Sequence, residues 1–299
     1  MLVPSQNRWT QREKHRMYKF AVIGHPLTQS LSAVMHNALL KDLGLEGSYE
    51  LLDTKSEDLV DRVKFLKSRD YTGFNVTIPH KVPITLFLDG CDKFADIAGC
   101  ANTVKVMPDK TLYGYNTDIY GFQKAIPDEV CTNLKGNKAS LLGTGGAARA
   151  AAIALCDIGV KKIDFYARNI INAQNMVNFL RNSFPEVVFE LKQMQSLRDL
   201  SESKMLVNCT PVGMRGKAMG ISPIEEDVLK TLSKDAAVYD IVYNPLKTEL
   251  LKMAQKNGFT TITGLDMFVH QGAKAFEIWT GLKAKTDVMK MAVLEALAQ

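Results

Sequence analysis

The stretch Leu141-Leu142-Gly143-Thr144-Gly145-Gly146-Ala147-Ala148-Arg149 constrains the fold of this chain more than any other. It follows a short apolar run, Ala139 to Leu142, and opens into an alanine-rich segment, Ala147 to Leu155, with the composition of a helix packed closely on a sheet. The order is strand, tight turn, helix. In such a unit Gly143 supplies the turn, Gly145 lets backbone N–H groups approach a pyrophosphate, and Ala148 takes the third small-residue position. An anion sits well at the helix start, where unpaired N–H groups and the helix dipole favour negative charge. A bare Gly-x-Gly-Gly also reads as an ordinary tight turn. Here a second β-rich run, Ile163 to Ala167, follows at the spacing of a βαβ unit, which favours a dinucleotide site built from Gly143, Thr144, Gly145, Gly146 and Ala147.

With 299 residues, 46% of them hydrophobic, the chain is long enough for two domains with a core in each. It has no run of about 18 apolar residues and no secretory leader pattern, which predicts a soluble, intracellular and cytoplasmic protein with no membrane association. The five cysteines are scattered and never paired as C-x-x-C, so they read as reduced structural thiols. The five histidines lack metal-ligand spacing, and no metal is expected. Net charge is +5, of which Arg8, Arg12, Lys14 and Arg16 against Glu13 give a local +3 and leave +2 for the rest. That balance argues against nucleic acid as a partner. Residues 1–17 read as a disordered leader or an early start, since Met17 stands directly before the first strand; a basic interaction tail is the alternative.

Taken in order, Tyr18 to Gly24 reads as a strand, and the hydroxyls of Ser30 and Ser32 stand at the start of a helix with apolar residues at 31, 34, 35, 38, 39 and 43. The serines serve either as caps or as hydrogen-bonding groups for a substrate anion. A strand at 47–52, a helix at 57–68 and a strand at 73–76 lead into Asn75-Val76-Thr77-Ile78-Pro79-His80-Lys81. Pro79 suits the first turn of a helix, which would hold Lys81 on structured backbone at a strand's carboxyl end. A hairpin from Asn102 to Tyr115 and a helix from Ile119 to Ala125 follow. Six strands, counted from the one before the glycine turn and interleaved with helices, predict a doubly wound parallel sheet.

The motifs together resemble one family, the shikimate dehydrogenases with their quinate/shikimate relatives. They run in order from Ser30-Leu31-Ser32 ahead of Met35-His36-Asn37, through Asn75 to Lys81, Ala98 to Thr103, Gly114 to Asp118 and Gly143 to Ala148, to Asn208 to Met214, Asp240 to Pro245 and Gly264 to Gln271. The resemblance implies an α/β fold of two domains. A discontinuous substrate-binding domain takes residues 18–117 plus 265–299, and a Rossmann-like dinucleotide-binding domain takes 118–264. It implies Lys81 and Asp118 as the catalytic pair, and Ser30, Ser32, Thr77, Asn102, Tyr243 and Gln271 as substrate-binding residues. To the cofactor cradle it adds Arg168, Thr210, Pro211, Ile241 and Gly264. Gln29 and Ala33 stand where the family usually has His and Pro; both flank the serines without replacing them, and so bear on substrate affinity rather than on chemistry.

The chemistry of the residues is compatible with that. Reduction of a ring ketone by hydride develops alkoxide charge, which a lysine ammonium stabilises and then protonates. The activity implied is the reversible NADP-dependent reduction of 3-dehydroshikimate to shikimate in chorismate and aromatic amino-acid biosynthesis, by a monomer or homodimer. Quinate oxidation with NAD as well as NADP is a close variant, and a non-catalytic shikimate or quinate sensor on the same fold is the rival. For the cofactor, Asp164 lies too early in its strand to hold a ribose 2′-hydroxyl as NAD-specific folds do, whereas Arg168 stands where a 2′-phosphate is met. Ala167, Asn169 and Asn172 replace the usual Asn, Thr and second cation, which predicts a modest preference for NADP with detectable NAD activity.

Overall fold

The computed structural model describes residues 17–28, 30–216 and 218–299. The leader up to residue 16 and Gln29 lie outside them. The chain divides into two compact units: the first takes the chain up to Cys91, Ala101–Gly114 and Ala275–Gln299, and the second takes Asp92–Cys100 and Tyr115–Lys274.

The first unit is built on a six-stranded sheet of β1 (Tyr18–Gly24), β2 (Gly47–Asp53), β3 (Gly73–Val76), β4 (Gly90–Cys91), β5 (Thr103–Val106) and β6 (Leu112–Tyr115), in the order β2-β1-β3-β5-β6-β4. β1 pairs in parallel with β2 and β3, β5 runs antiparallel to β3, and β4 is parallel to β6. The centre of β1, Phe20 to Ile23, is buried on both faces, which is why it reads as an unbroken apolar run. The helix Ser32–Asp42 buries Met35, His36, Leu39 and Leu40, and its Asn37 carboxamide brackets the Tyr49 backbone, accepting from its N–H at 2.8 Å and donating to its carbonyl at 3.0 Å. The end of the chain closes this unit. Trp279 stacks on Phe20 with ring centroids 4.7 Å apart and donates its indole N–H to the Val104 carbonyl at 2.9 Å. Residue 73 has to be glycine there, because a Cβ would lie 2.2 Å from the Trp279 ring.

The second unit carries β7 (Lys138–Leu142), β8 (Lys162–Ala167), β9 (Val188–Gln193), β10 (Ser203–Asn208), β11 (Ala237–Asp240) and β12 (Thr260–Thr263). They form one sheet in the order β12-β11-β10-β7-β8-β9, with parallel pairing throughout. The strand order reverses between β7 and β10, and in doubly wound sheets ligands bind at the carboxyl ends beside such a point. The alanine-rich helix Gly146–Ile158 packs with almost no exposed side chain from Ala150 to Leu155, the close approach its composition predicted. Three segments placed by sequence with the substrate domain fall in this unit: Asp92–Cys100 with its short helix Lys93–Ala98, Tyr115–Thr117, and Leu265–Lys274 of the helix Gly264–Thr280. Ala98, Cys100 and Met267 share one buried cluster with Phe122, Ala148 and Tyr239.

Candidate active site

At the carboxyl edge of the first unit the chain leaves β3 through Thr77, whose N–H bonds the Ile23 carbonyl at 2.9 Å. Pro79 does not start a helix. A turn follows instead, closed by the His80 N–H on the Thr77 carbonyl at 2.8 Å with a cis Ile78–Pro79 peptide, and the first helical turn begins only at Pro83. Proline at the third position of a tight turn and proline at a helix start look alike in sequence. The outcome for Lys81 is still ordered backbone. The buried His80 ring bonds the Thr54 carbonyl at 2.7 Å, and the Lys81 carbonyl accepts the Ala101 N–H at 2.9 Å, which places Lys81 beside the strand entry that carries Asn102.

Leu31, not a serine, occupies the capping position of the helix Ser32–Asp42 and makes no side-chain capping bond; the Ser30 hydroxyl oxygen accepts the Ser32 N–H at 3.4 Å and its O–H donates to the Ser32 oxygen at 3.3 Å. A buried chain of hydrogen bonds links this corner to Asn102. Tyr49 donates to Asn75 Oδ1 at 2.8 Å, Asn75 Nδ2 donates to Thr103 Oγ1 at 2.9 Å, and Thr103 donates to Asn102 Oδ1 at 3.1 Å. Burial pushes the Tyr49 phenol well above its ordinary pKa while a hydrogen bond with Ser32 draws it back, so it remains a protonated donor. Sequence reasoning missed Tyr49 and gave Asn75 no role. Its one available signal was a polar residue inside the otherwise apolar run Gly73–Val76.

In the second unit, Asp118 lies buried in the first turn of the helix Thr117–Lys124. One turn on, Gly121 lets the helix Gly264–Thr280 approach: a Cβ there would sit 2.6 Å from the Met267 carbonyl and 2.9 Å from Gln271. The helices of Asp118 and Gln271 therefore meet at that glycine. Tyr243 joins them, stacking on Phe268 at 4.4 Å between ring centroids, and Phe268 accepts the Gln271 side-chain N–H on its carbonyl at 2.8 Å.

The glycine turn fits a pyrophosphate. Gly143 has φ +99°, and its N–H is held by the Tyr166 carbonyl at 2.8 Å. Gly145, at the cap of the helix Gly146–Ile158, has open space where a Cβ would point, and no side chain caps that helix. Thr144, Gly146 and Ala147 complete the rim. Thr210 follows β10 and lies against the turn, its methyl 3.0 Å from a Cβ built on Gly143. Ile241 and Gly264 are also brought together, since a Cβ on Gly264 would collide with the Ile241 carbonyl.

Arg168 is exposed just past β8, and Asn169 caps the next helix by accepting the Asn172 N–H at 3.1 Å. Asp164 is fully buried and paired with Lys138 at 2.9 Å and Lys192 at 2.7 Å, which removes it from any part in ribose recognition. Burial pushes the Cys209 thiol up, with Asp240 nearby adding to the effect, so it is no nucleophile. None of the five cysteines is in a disulfide, and the described residues hold no cluster of three His, Cys, Asp or Glu able to bind a metal and no helix long and apolar enough to cross a membrane.

Residues 22–104 match the shikimate dehydrogenase substrate binding domain, and residues 264–294 match the shikimate 5′-dehydrogenase C-terminal domain. A shikimate dehydrogenase (NADP(+)) of Bacillus cereus is 37% identical over 278 residues, 93% of this chain and 98% of that protein. The chain belongs to the shikimate dehydrogenase family. Among solved structures of the family, that of the Thermus thermophilus enzyme in complex with NADP(H) and shikimate superposes with a TM-score of 0.79 at 36% identity, covering 94% of this chain and all 100% of that one. The quinate dehydrogenase of Corynebacterium glutamicum in complex with NAD gives a TM-score of 0.86 at 28% identity, covering 93% and 99%. The α/β fold of two units, one with a purely parallel sheet, is that of the shikimate dehydrogenases.

Proposed function

We propose that the chain is a shikimate dehydrogenase carrying out the reversible NADP-dependent reduction of 3-dehydroshikimate to shikimate, a step toward chorismate and the aromatic amino acids. The observation that carries this reading is the likeness to NADP-dependent shikimate dehydrogenases over more than nine-tenths of the chain. Neither the quinate variant nor the sensor is favoured by it. A cytoplasmic location and a monomeric or dimeric state belong to the same reading, as does the division into a substrate domain and a dinucleotide domain.

Gly143 to Ala147 and the uncapped helix start would hold the pyrophosphate, Arg168 the 2′-phosphate, and Thr210, Pro211, Ile241 and Gly264 the nicotinamide half. When bound, the reduced nicotinamide supplies a hydride to the ring carbonyl carbon. The Lys81 ammonium stabilises the charge that develops on the carbonyl oxygen and gives it a proton, forming the alcohol; in the reverse direction neutral Lys81 takes that proton back. Asp118 orients Lys81 and a substrate hydroxyl. Ser30 and Ser32 receive the ring carboxylate, and Thr77, Asn102, Tyr243 and Gln271 supply the mixed donors and acceptors that ring hydroxyls require.

Lys81→Ala tests this. With shikimate and NADP as substrates, followed by the absorbance of the reduced cofactor, kcat falls by about 10²–10⁴-fold while shikimate affinity changes less. Near-normal turnover in the variant removes Lys81 from the chemistry.

A further inference from the structure

Beneath the carboxyl edge of the dinucleotide unit, two loops are tied together by side chains to which the mechanism above gives no part. Asn208 and Asp240 are the last residues of β10 and β11, stand opposite one another in register, and are fully buried. The Asn208 carboxamide is used on every side: its N–H groups donate to Asp240 Oδ1 at 2.9 Å and to the Val212 carbonyl at 3.1 Å, and its oxygen accepts the Thr210 N–H at 3.0 Å and the Thr210 hydroxyl at 2.7 Å. Asp240 Oδ1 also accepts the Val242 N–H at 3.0 Å, and its Oδ2 accepts the Thr248 hydroxyl at 2.6 Å. Thr248 in turn caps the helix Glu249–Lys256 and packs against Gly213, so both loops rest on it.

We propose that Asn208, Asp240 and Thr248 are positioning residues for the cofactor, fixing Thr210 against the glycine turn and fixing the backbone at Ile241–Val242 beside Gly264. The proposal rests on the reading of Thr210, Pro211 and Ile241 as cofactor-binding residues. Three observations carry it. Every atom Asn208 offers is spent on Thr210, Val212 or Asp240, so the Thr210 side chain has one orientation. That orientation brings its methyl to the edge of the turn at Gly143, where φ is positive and a Cβ would lie only 3.0 Å from it. Finally, a carboxylate is an expensive group to bury, and burial pushes Asp240 up to about 6 even with hydrogen bonds from Thr248, Val242 and Asn208 drawing it back. A buried group held at that cost, between two loops that flank a ligand site, sets their geometry rather than filling the core.

The test is dinucleotide binding, measured without turnover by titrating NADP+ into the full chain in a calorimeter. Thr248→Val keeps the shape and removes the hydroxyl, and with it both the bond to Asp240 and the cap of the helix Glu249–Lys256; the Kd for NADP+ rises by about tenfold. Thr248→Ser restores the hydroxyl and brings Kd back to within about twofold of wild type, a rescue that a packing role would not give. Asn208→Ala weakens binding at least as much as Thr248→Val. An unchanged Kd in Thr248→Val and Asn208→Ala overturns the proposal, as does a Thr248→Ser protein as weak as Thr248→Val. A wild type that binds NADP+ but does not oxidise shikimate refutes the proposed activity and leaves this comparison standing; one that binds neither NADP+ nor NAD+ refutes both.

Discussion

His36 makes the first unit acid-sensitive to an extent that follows from its surroundings. The ring is fully buried, stacked on Tyr49 at 4.4 Å with the planes 2° apart, and neither nitrogen has a hydrogen-bond partner among the described residues. Burial pushes its pKa down from 6.5 to about 3. A base whose folded pKa is depressed resists protonation in the native state while the unfolded chain takes up the proton freely. Its contribution to stability is therefore complete above pH 6.5 and is lost as pH falls toward 3. At about 1.36 kcal/mol per pH unit, about 2 kcal/mol is gone by about pH 5 and about 4–5 kcal/mol by about pH 3. Asp240 works in the opposite direction, because its pKa is raised to about 6 and the native state gains as pH falls through that value. The two are separated by comparing wild type with His36→Phe, which keeps the stack and removes the titration while leaving Asp240 in place. Urea unfolding followed by tryptophan emission, to which Trp279 contributes from 5.6 Å away, is run at pH 7, 6 and 5. The stability difference between the two proteins moves by about 2 kcal/mol in favour of the variant between pH 7 and 5. Parallel profiles would show that His36 finds a partner or water for its proton, and the reasoning fails.

Three further outcomes follow from the site. Ser30→Ala raises KM for shikimate more than it lowers kcat, because the carboxylate is bound in both ground and transition states; a collapse of kcat at unchanged KM would make the serine catalytic or structural. Arg168→Ala lowers kcat/KM for NADP by about tenfold to a hundredfold and leaves NAD nearly unchanged, since one charge-assisted contact contributes about 1.5–3 kcal/mol; equal losses with both cofactors, or a wild type that prefers NAD, would refute its role. Gly143→Ala, which puts a Cβ at φ +99° and 3.0 Å from the Thr210 methyl, weakens NADP+ binding and lowers Tm, and unchanged values of both would show that the turn relaxes without cost.

What could be read in the sequence was local. The glycine turn, the six strands of the parallel sheet and the hairpin at Pro108-Asp109-Lys110 each declare themselves within about 15 residues, through side-chain period and turn chemistry. The helix Lys93–Ala98 did not, because six residues are under two turns and only the Asp92 cap and the left-handed Gly99 announce it. Pro79 was ambiguous for the reason already given. The relay bonds from Tyr49 to Asn75 and from Asn75 to Asn102, and the bridge from Asn208 to Asp240, join residues 26 to 32 apart in sequence. No periodicity reports such pairs, since the signal is a polar residue at a buried strand position whose partner lies on another strand. The same pattern explains the resemblance at Asn75, Asn208 and Asp240. Each stands at or next to the carboxyl end of a parallel strand, where the ladder stops and a side chain has to satisfy the backbone of the departing loop. The motifs that named the family are thus largely the places where strands hand over to loops, and the polar residues at Asn75, Asn208 and Asp240 hold those handovers in place.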